Sequence, residues 1–234
     1  MLTAVFGLLL IKPNLKCVAL TYHDVTPKKS VWFDCTPAEF RSQIGAMSRS
    51  GVHFVSLSQV ESFLHGGPLP PHAVALTFAD NYHGFLDHAY PILKSLRIPV
   101  AMFVHTGFVG SKIGRPKMSW PEIERLDREG LVTFASQTVT HRDLPTLSDD
   151  EIDRELRDSK AALERHLRHP IRYLAYPDGA VDDRAEQAVA ASGLYALAFG
   201  EIQSPMGKSL FRVNRYVHTK WRKALRDAGI LLRR

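Results

Sequence analysis

The chain has 234 residues, of which 45% are hydrophobic and 23% charged, with a formal charge of +6. That length can bury one sizeable core, and the ordinary composition excludes a disordered, collagen-like or low-complexity chain. The basic excess favours anionic surfaces. Apart from Lys220-Trp221-Arg222-Lys223 and Arg233-Arg234 it is scattered, which reads as a solvated basic face and not as a nucleic-acid footprint.

Leu2 to Ile11 is apolar but far shorter than the roughly 20 residues a spanning helix needs. No basic segment precedes it and no small-residue cleavage site follows. Residues 1–16 therefore read as an extra strand or as the remnant of a membrane anchor. Cys17-Val18-Ala19-Leu20-Thr21-Tyr22 is a first buried strand ending in His23-Asp24. Thr36-Pro37-Ala38-Glu39 is a capping box with proline at the first helical position, so a helix starts there and runs to Gly51. Val52 to Leu57 is a strand, Ser58 to Leu64 a short helix, and Ala73 to Phe78 a central strand that empties into Ala79, Asp80, Asn81 and Tyr82.

Helical spacing over Phe85 to Leu96 is followed by a strand at Val100 to Val104 and a helix over Pro121 to Arg128. Leu131 to Ser136 is a strand that also ends in polar residues, Gln137, Thr138, Thr140 and His141. Ser148-Asp149-Asp150-Glu151 caps a long helix with a buried stripe of Ile152, Leu156, Leu163 and Leu167. Strands follow at Tyr173 to Tyr176, Tyr195 to Phe199 and Phe211 to Val217, and helices at Ala185 to Ser192 and Trp221 to Ala228. Strands alternating with helices imply parallel pairing with helical crossovers, in one α/β barrel-like domain over residues 1–234. Cys17 and Cys35 have no metal-type spacing and can pair only if the fold brings them together.

Asp80, His141 and the turn Tyr176-Pro177-Asp178-Gly179 all lie just past strand ends, where α/β folds collect their chemistry. Several ordered motifs resemble the polysaccharide deacetylases built on the NodB-homology domain, carbohydrate esterase family 4. They are Tyr22-His23-Asp24-Val25, Pro68-Leu69-Pro70, Thr77 to Tyr82, Met118-Ser119-Trp120, Ser136 to Leu144 and Ala175 to Gly179. The first resembles the opening motif of the branch that deacetylates poly-N-acetylglucosamine.

The resemblance implies a distorted (β/α) barrel carrying one divalent metal, usually zinc, and a place in the cell envelope or outside the cytoplasm. In the family a Thr-Phe-Asp-Asp-Gly motif supplies a general base and then a metal ligand, and a later segment adds two histidine ligands. Donors near the Tyr-Pro turn hold the oxyanion.

This chain departs from the pattern where it matters most. The base position holds Ala79, the glycine is Asn81, and the first metal histidine is Gln137; Asp80 and His141 remain. An amide oxygen is a poor ligand for zinc, so two good ligands are left and metal binding is expected to be weak or absent. Losing the base removes roughly 10²–10⁴ in rate.

A pseudoenzyme that binds an N-acetylated glycan or a protein partner is the first expectation. The alternatives are an active deacetylase with a non-standard base and metal site, and a structural module meeting an anionic or membrane surface through the basic C-terminus. Replacement bases to consider are Asp178, His23 and Asp24, with His218 as an acid. Each has a plainer reading, as turn chemistry or as a hydrogen-bonded strand-end histidine. Asn81, Tyr82, Trp120, Tyr176 and Pro177 are candidate sugar contacts, with core packing the ordinary role of the aromatic ones.

Overall fold

The computed structural model describes residues 17–207 and 209–232. The extra strand or anchor remnant read at residues 1–16, and Arg233-Arg234, lie outside the described residues. Parallel strands alternate with helices along most of the chain: β1 (Val18–Tyr22), α1 (Pro37–Arg49), β2 (His53–Val55), α2 (Leu57–Leu64), β3 (Ala73–Phe78), α3 (Tyr90–Ser95) and β4 (Val100–Val104). These are followed by α4 (Trp120–Arg128), β5 (Val132–Ser136), α5 (Asp149–Leu167), β6 (Tyr173–Ala175), α6 (Asp183–Ser192), β7 (Leu197–Phe199), β8 (Tyr216–Val217) and α7 (Trp221–Asp227). The strand order is β7-β6-β5-β4-β3-β1-β8, with β2 pairing the first half of β3. A bridge between Phe199 and Val213 joins the β7 edge to the segment leading into β8, so the sheet curls into a distorted (β/α) barrel.

Two cores follow from the period-2 pleat. Val18, Leu20, Tyr22, Val74, Leu76, Phe78, Met102 and Phe134 face outward into the helices. Ala19, Ala75, Ala101, Phe103, Ala135, Ala175 and Phe199 fill the barrel interior. Small residues at most inward positions let so few strands close around so little space.

The helix starts are chemical. Thr36, Ser119 and Ser148 complete capping boxes with Glu39, Glu122 and Glu151. A further box, Ser56 with Gln59, starts α2 at Leu57 and trims the strand expected over Val52 to Leu57 to His53–Val55. The 85–96 helix opens as a π turn at Phe85–Ala89 before α3, and Pro91, at the second position of α3, falls where that wider turn gives way to the α-helix.

The last two strands are shorter than the sequence suggests. Tyr195 turns its hydroxyl to Leu156 O at 2.8 Å instead of extending β7. Val213 pairs its backbone with Ala198 and Gly200 on the β7 side, and β8 pairs only at Tyr216–Val217. Cys17 and Cys35 are both free and buried, and burial pushes each thiol up to about 12. No helix among the described residues is long and apolar enough to cross a membrane.

Phe78 sits at the centre of the outer core, its ring against Tyr22, Phe40 and Phe85. Phe78→Ala is expected to cost about 3–5 kcal/mol, because packed neighbours on three sides cannot collapse into the space. Urea denaturation checks this; a shift below ~1 kcal/mol would contradict the packing described.

Candidate active site at the C-terminal rim

The inward register of the barrel, carried two residues past the last inward residue of each strand, reaches His23, Ala79, His105, Gln137, Pro177 and Glu201. One rim thus gathers side chains from six strands. After β3 the chain turns sharply: Ala79 N–H still donates to Tyr22 O at 2.9 Å, and then Asp80 (φ 68°) and Asn81 (φ 40°) are both left-handed. Short polar side chains tolerate that region best. Met118 N–H donates to Asn81 O, and Lys117 Nζ donates to Asp80 O at 3.0 Å while lying 3.3 Å from the Tyr82 ring centre.

The loop after β5 carries Gln137 and His141, with Thr138 and His141 also left-handed. Glu155 of α5 holds it from outside, accepting from Val139 N–H at 2.7 Å, Thr140 N–H at 2.9 Å and the Thr140 hydroxyl. The loop after β4 holds it from the other side: Thr106 N–H and Gly107 N–H donate to Thr138 O and Val139 O, each at 3.0 Å. A Cβ on Gly107 would lie 2.6 Å from Val139 O, so this approach needs glycine.

Between these loops Asp80, Gln137 and His141 form a closed polar cluster. Asp80 N–H donates to Gln137 Oε1 at 2.9 Å. Gln137 Nε2 donates to Asp80 Oδ1 at 3.0 Å and lies 2.9 Å from His141 Nε2, which is itself 3.3 Å from Asp80 Oδ1. Gln137 therefore turns its nitrogen, not the oxygen that could ligate, toward the pair.

Burial alone would raise the Asp80 carboxyl, but the His141 hydrogen bond and the surrounding histidines hold it well below the usual range. Burial would lower His141, yet Asp80 and then Asp178 carry it above its ordinary value.

His105 completes the group. It is 6% exposed, both ring nitrogens lack a partner, and burial pushes its pKa down to about 3, so it stays neutral. Ligand atoms of Asp80, His105 and His141 lie within 4.8 Å of one another. Two imidazoles and a carboxylate form a donor set suited to a divalent cation, and the partnerless His105 nitrogens give that set an unused third donor.

His105 and Lys117 were not legible as functional from their motifs. The rule that picked out Asp80 and Gln137, a polar residue following a buried strand, applies equally to His105 after β4.

The other sequence candidates divide. His23 lies within reach of the Asp80 charge, and burial pushes it down to about 4. Asp178 is exposed at the turn (φ 50°), and its charge is felt by His141. Pro177 is buried beneath that turn, and Tyr176 is fully buried, donating its hydroxyl to Phe211 O at 2.8 Å. Tyr82 borders the site, burial and the Asp80 charge holding its phenol protonated. Asn81 is fully buried with neither amide atom partnered.

His218 stacks on Tyr22 and bonds Phe33 O at 3.1 Å, on the outer face. Trp120 stacks on His166 of α5 at 3.9 Å, away from the rim cluster. Two further charges belong to the interior: Glu201, its carboxyl raised by burial, and Arg215, fully buried, bonded to Gly200 O and pushed down to about 10 by burial.

The polysaccharide deacetylase family profile matches residues 66–197. The chain belongs to that family. It is 27% identical over 175 residues to the poly-beta-1,6-N-acetyl-D-glucosamine N-deacetylase of Staphylococcus aureus, an overlap covering 69% of this chain and 59% of the relative. The chain thus spans about three fifths of the length of the curated relatives it matches.

Among solved structures it resembles IcaB from Ammonifex degensii, with TM-score 0.81, 27% identity, and coverage of 91% of this chain and 97% of that one. It also resembles the Streptococcus pyogenes deacetylase PplD in complex with acetate, with TM-score 0.79, 27% identity and coverage of 86% and 92%. The family is metal-dependent, and the Asp-His-His group falls at the rim where its chemistry is expected.

The Glu155 clamp sets the position of His141. Glu155→Ala leaves two backbone N–H groups without an acceptor and is expected to cost about 2–3 kcal/mol, with faster hydrogen exchange at Val139 and Thr140. Unchanged exchange at both amides would show that the loop does not depend on Glu155.

Proposed function

We propose that this chain binds an N-acetylated glycan of the poly-β-1,6-N-acetylglucosamine kind at the rim, and that hydrolysis of the acetamide there is impaired. The observation that carries this is Ala79. It occupies the inward position after β3, beside Asp80, where the family resemblance puts the general base, and its methyl can neither take nor give a proton. General-base assistance is worth roughly 10²–10⁴ in rate. The likeness to the staphylococcal deacetylases and to IcaB supports the substrate class, and with it a place in the cell envelope or outside the cytoplasm.

The family's zinc would be held by Asp80, His105 and His141, where it would polarise the acetamide carbonyl. Asp80, kept ionised, and His141 orient that centre, while the buried Pro177 and the bordering Tyr82 shape the pocket wall. Binding without turnover is the result. A protein partner, or an anionic surface met through Lys220–Lys223, is compatible with a binding role but has no observation of its own.

A second reading has one specific observation in its favour. Glu201 is a half-buried carboxyl whose pKa is raised by burial, in the field of Arg215, Asp178 and Asp80. It and the neutral His23 are the rim groups able to replace the base, ahead of the exposed Asp178.

Acetate release from β-1,6-linked N-acetylglucosamine oligomers, with zinc or cobalt present, separates the two. The natural chain is expected to release acetate at least about 100-fold more slowly than an Ala79→Asp/Gln137→His variant. Equal rates would overturn the reading and make Glu201→Gln and His23→Ala the next variants.

A further inference from the structure

The residue that replaces the family's first metal histidine is occupied on both ends. Gln137 Oε1 accepts from Asp80 N–H, which fixes Nε2 toward Asp80 Oδ1 and His141 Nε2. An amide nitrogen in that orientation offers hydrogens and no free lone pair, so it competes for the same two ligand atoms that a cation would use. Yet Asp80 and His141 have a third neighbour, a histidine that feels the Asp80 backbone but makes no side-chain hydrogen bond. His105 is buried with neither ring nitrogen in a well-formed hydrogen bond, a state native structures rarely leave standing without a reason.

We infer that this chain carries a rebuilt divalent-metal site in which His105, from the loop after β4, replaces the missing histidine beside Asp80 and His141, while the Gln137 amide is a clasp that the cation displaces.

Three observations support the geometry. The Asp80 Oδ1 to His141 Nε2 separation is 3.3 Å, close to the ~3.3 Å edge of a tetrahedron built on zinc–nitrogen and zinc–oxygen bonds of about 2.0–2.1 Å. All three ligand groups have donor atoms within 4.8 Å of one another. The two residues after His105 are tied by backbone hydrogen bonds to Thr138 and Val139, between Gln137 and His141, so the two loops are positioned as one piece. Aspartate with two histidines suits zinc, and cobalt as its spectroscopic substitute. The inference rests on the rim being the family's metal-dependent site, and it holds whether or not the bound sugar is turned over.

The test is cobalt titration of the chelator-stripped natural chain, followed by calorimetry and visible absorption, with zinc as competitor. One equivalent should bind, with the intense d–d bands of a four- or five-coordinate site. His105→Ala and His105→Phe, the latter keeping a ring in the buried slot, should each weaken binding by at least about 10-fold and change the band pattern. Gln137→Ala should tighten binding by roughly 3–10-fold, the equivalent of one released hydrogen bond.

Failure of the natural chain to bind, natural affinity in both folded His105 variants, or loss in Gln137→Ala as large as in His105→Phe would each overturn the inference. Oligosaccharide binding is measured separately on the same preparations. Cobalt bound without sugar affinity defeats the glycan reading alone, and sugar affinity without cobalt defeats the rebuilt site alone.

Discussion

The pleat of a closed parallel sheet decides which side chains of this protein can meet. Because inward and outward positions alternate strictly, the same register that sends Ala75, Phe103 and Ala135 into the barrel also sends Ala79, His105 and Gln137 to its rim. A one-residue slip in any of these strands would exchange a rim residue for an outer-core residue. The interior and the site are therefore specified together, and a substitution that disturbs β3–β4 pairing acts on both.

Where the chain leaves the strands, order is kept by backbone conformations that cost energy. Asp80, Asn81, Thr138 and His141 all lie in the left-handed region, two on each of the loops that meet at the cluster. Non-glycine residues held there store strain of order 1–3 kcal/mol each. Their neighbours over-determine them: Lys117 and Met118 hold the 80–81 turn, and Glu155, Thr106 and Gly107 hold the 137–141 loop. Ala79 sits in a framework that still maintains these loops, which fits the proposed use of the rim for binding.

Much of this was readable in the sequence because it is local. Capping boxes at Thr36 and Ser148 start helices where expected, and the stripe Ile152, Leu156, Leu163 and Leu167 is buried as its spacing requires. The barrel followed from strand-helix alternation, and the rim from the polar residues that end β3 and β5. What was not readable depends on partners far away in the chain. Glu155 lies on the buried side of α5 because two amide groups of the 137–141 loop meet it there, whereas its type suggests a solvated position. His105 looks like an isolated histidine until the loop after β5 is laid beside it. Trp120 and His218 have the types expected of sugar contacts and acids, but they face α5 and Phe33. The short β8 reflects the backbone of Val213 pairing with Ala198 and Gly200 on the β7 side, which propensity alone does not reveal.

The proposed rim holds an N-acetylated sugar over a rebuilt ligand set without cleaving it. Crystals of the natural chain grown with zinc and soaked with a β-1,6-linked N-acetylglucosamine oligomer test it in one experiment. Anomalous density bounded by Asp80, His105 and His141, with the acetyl groups of the bound sugar intact, is the predicted result. A deacetylated sugar with free acetate, or a rim that takes up no sugar, would contradict it.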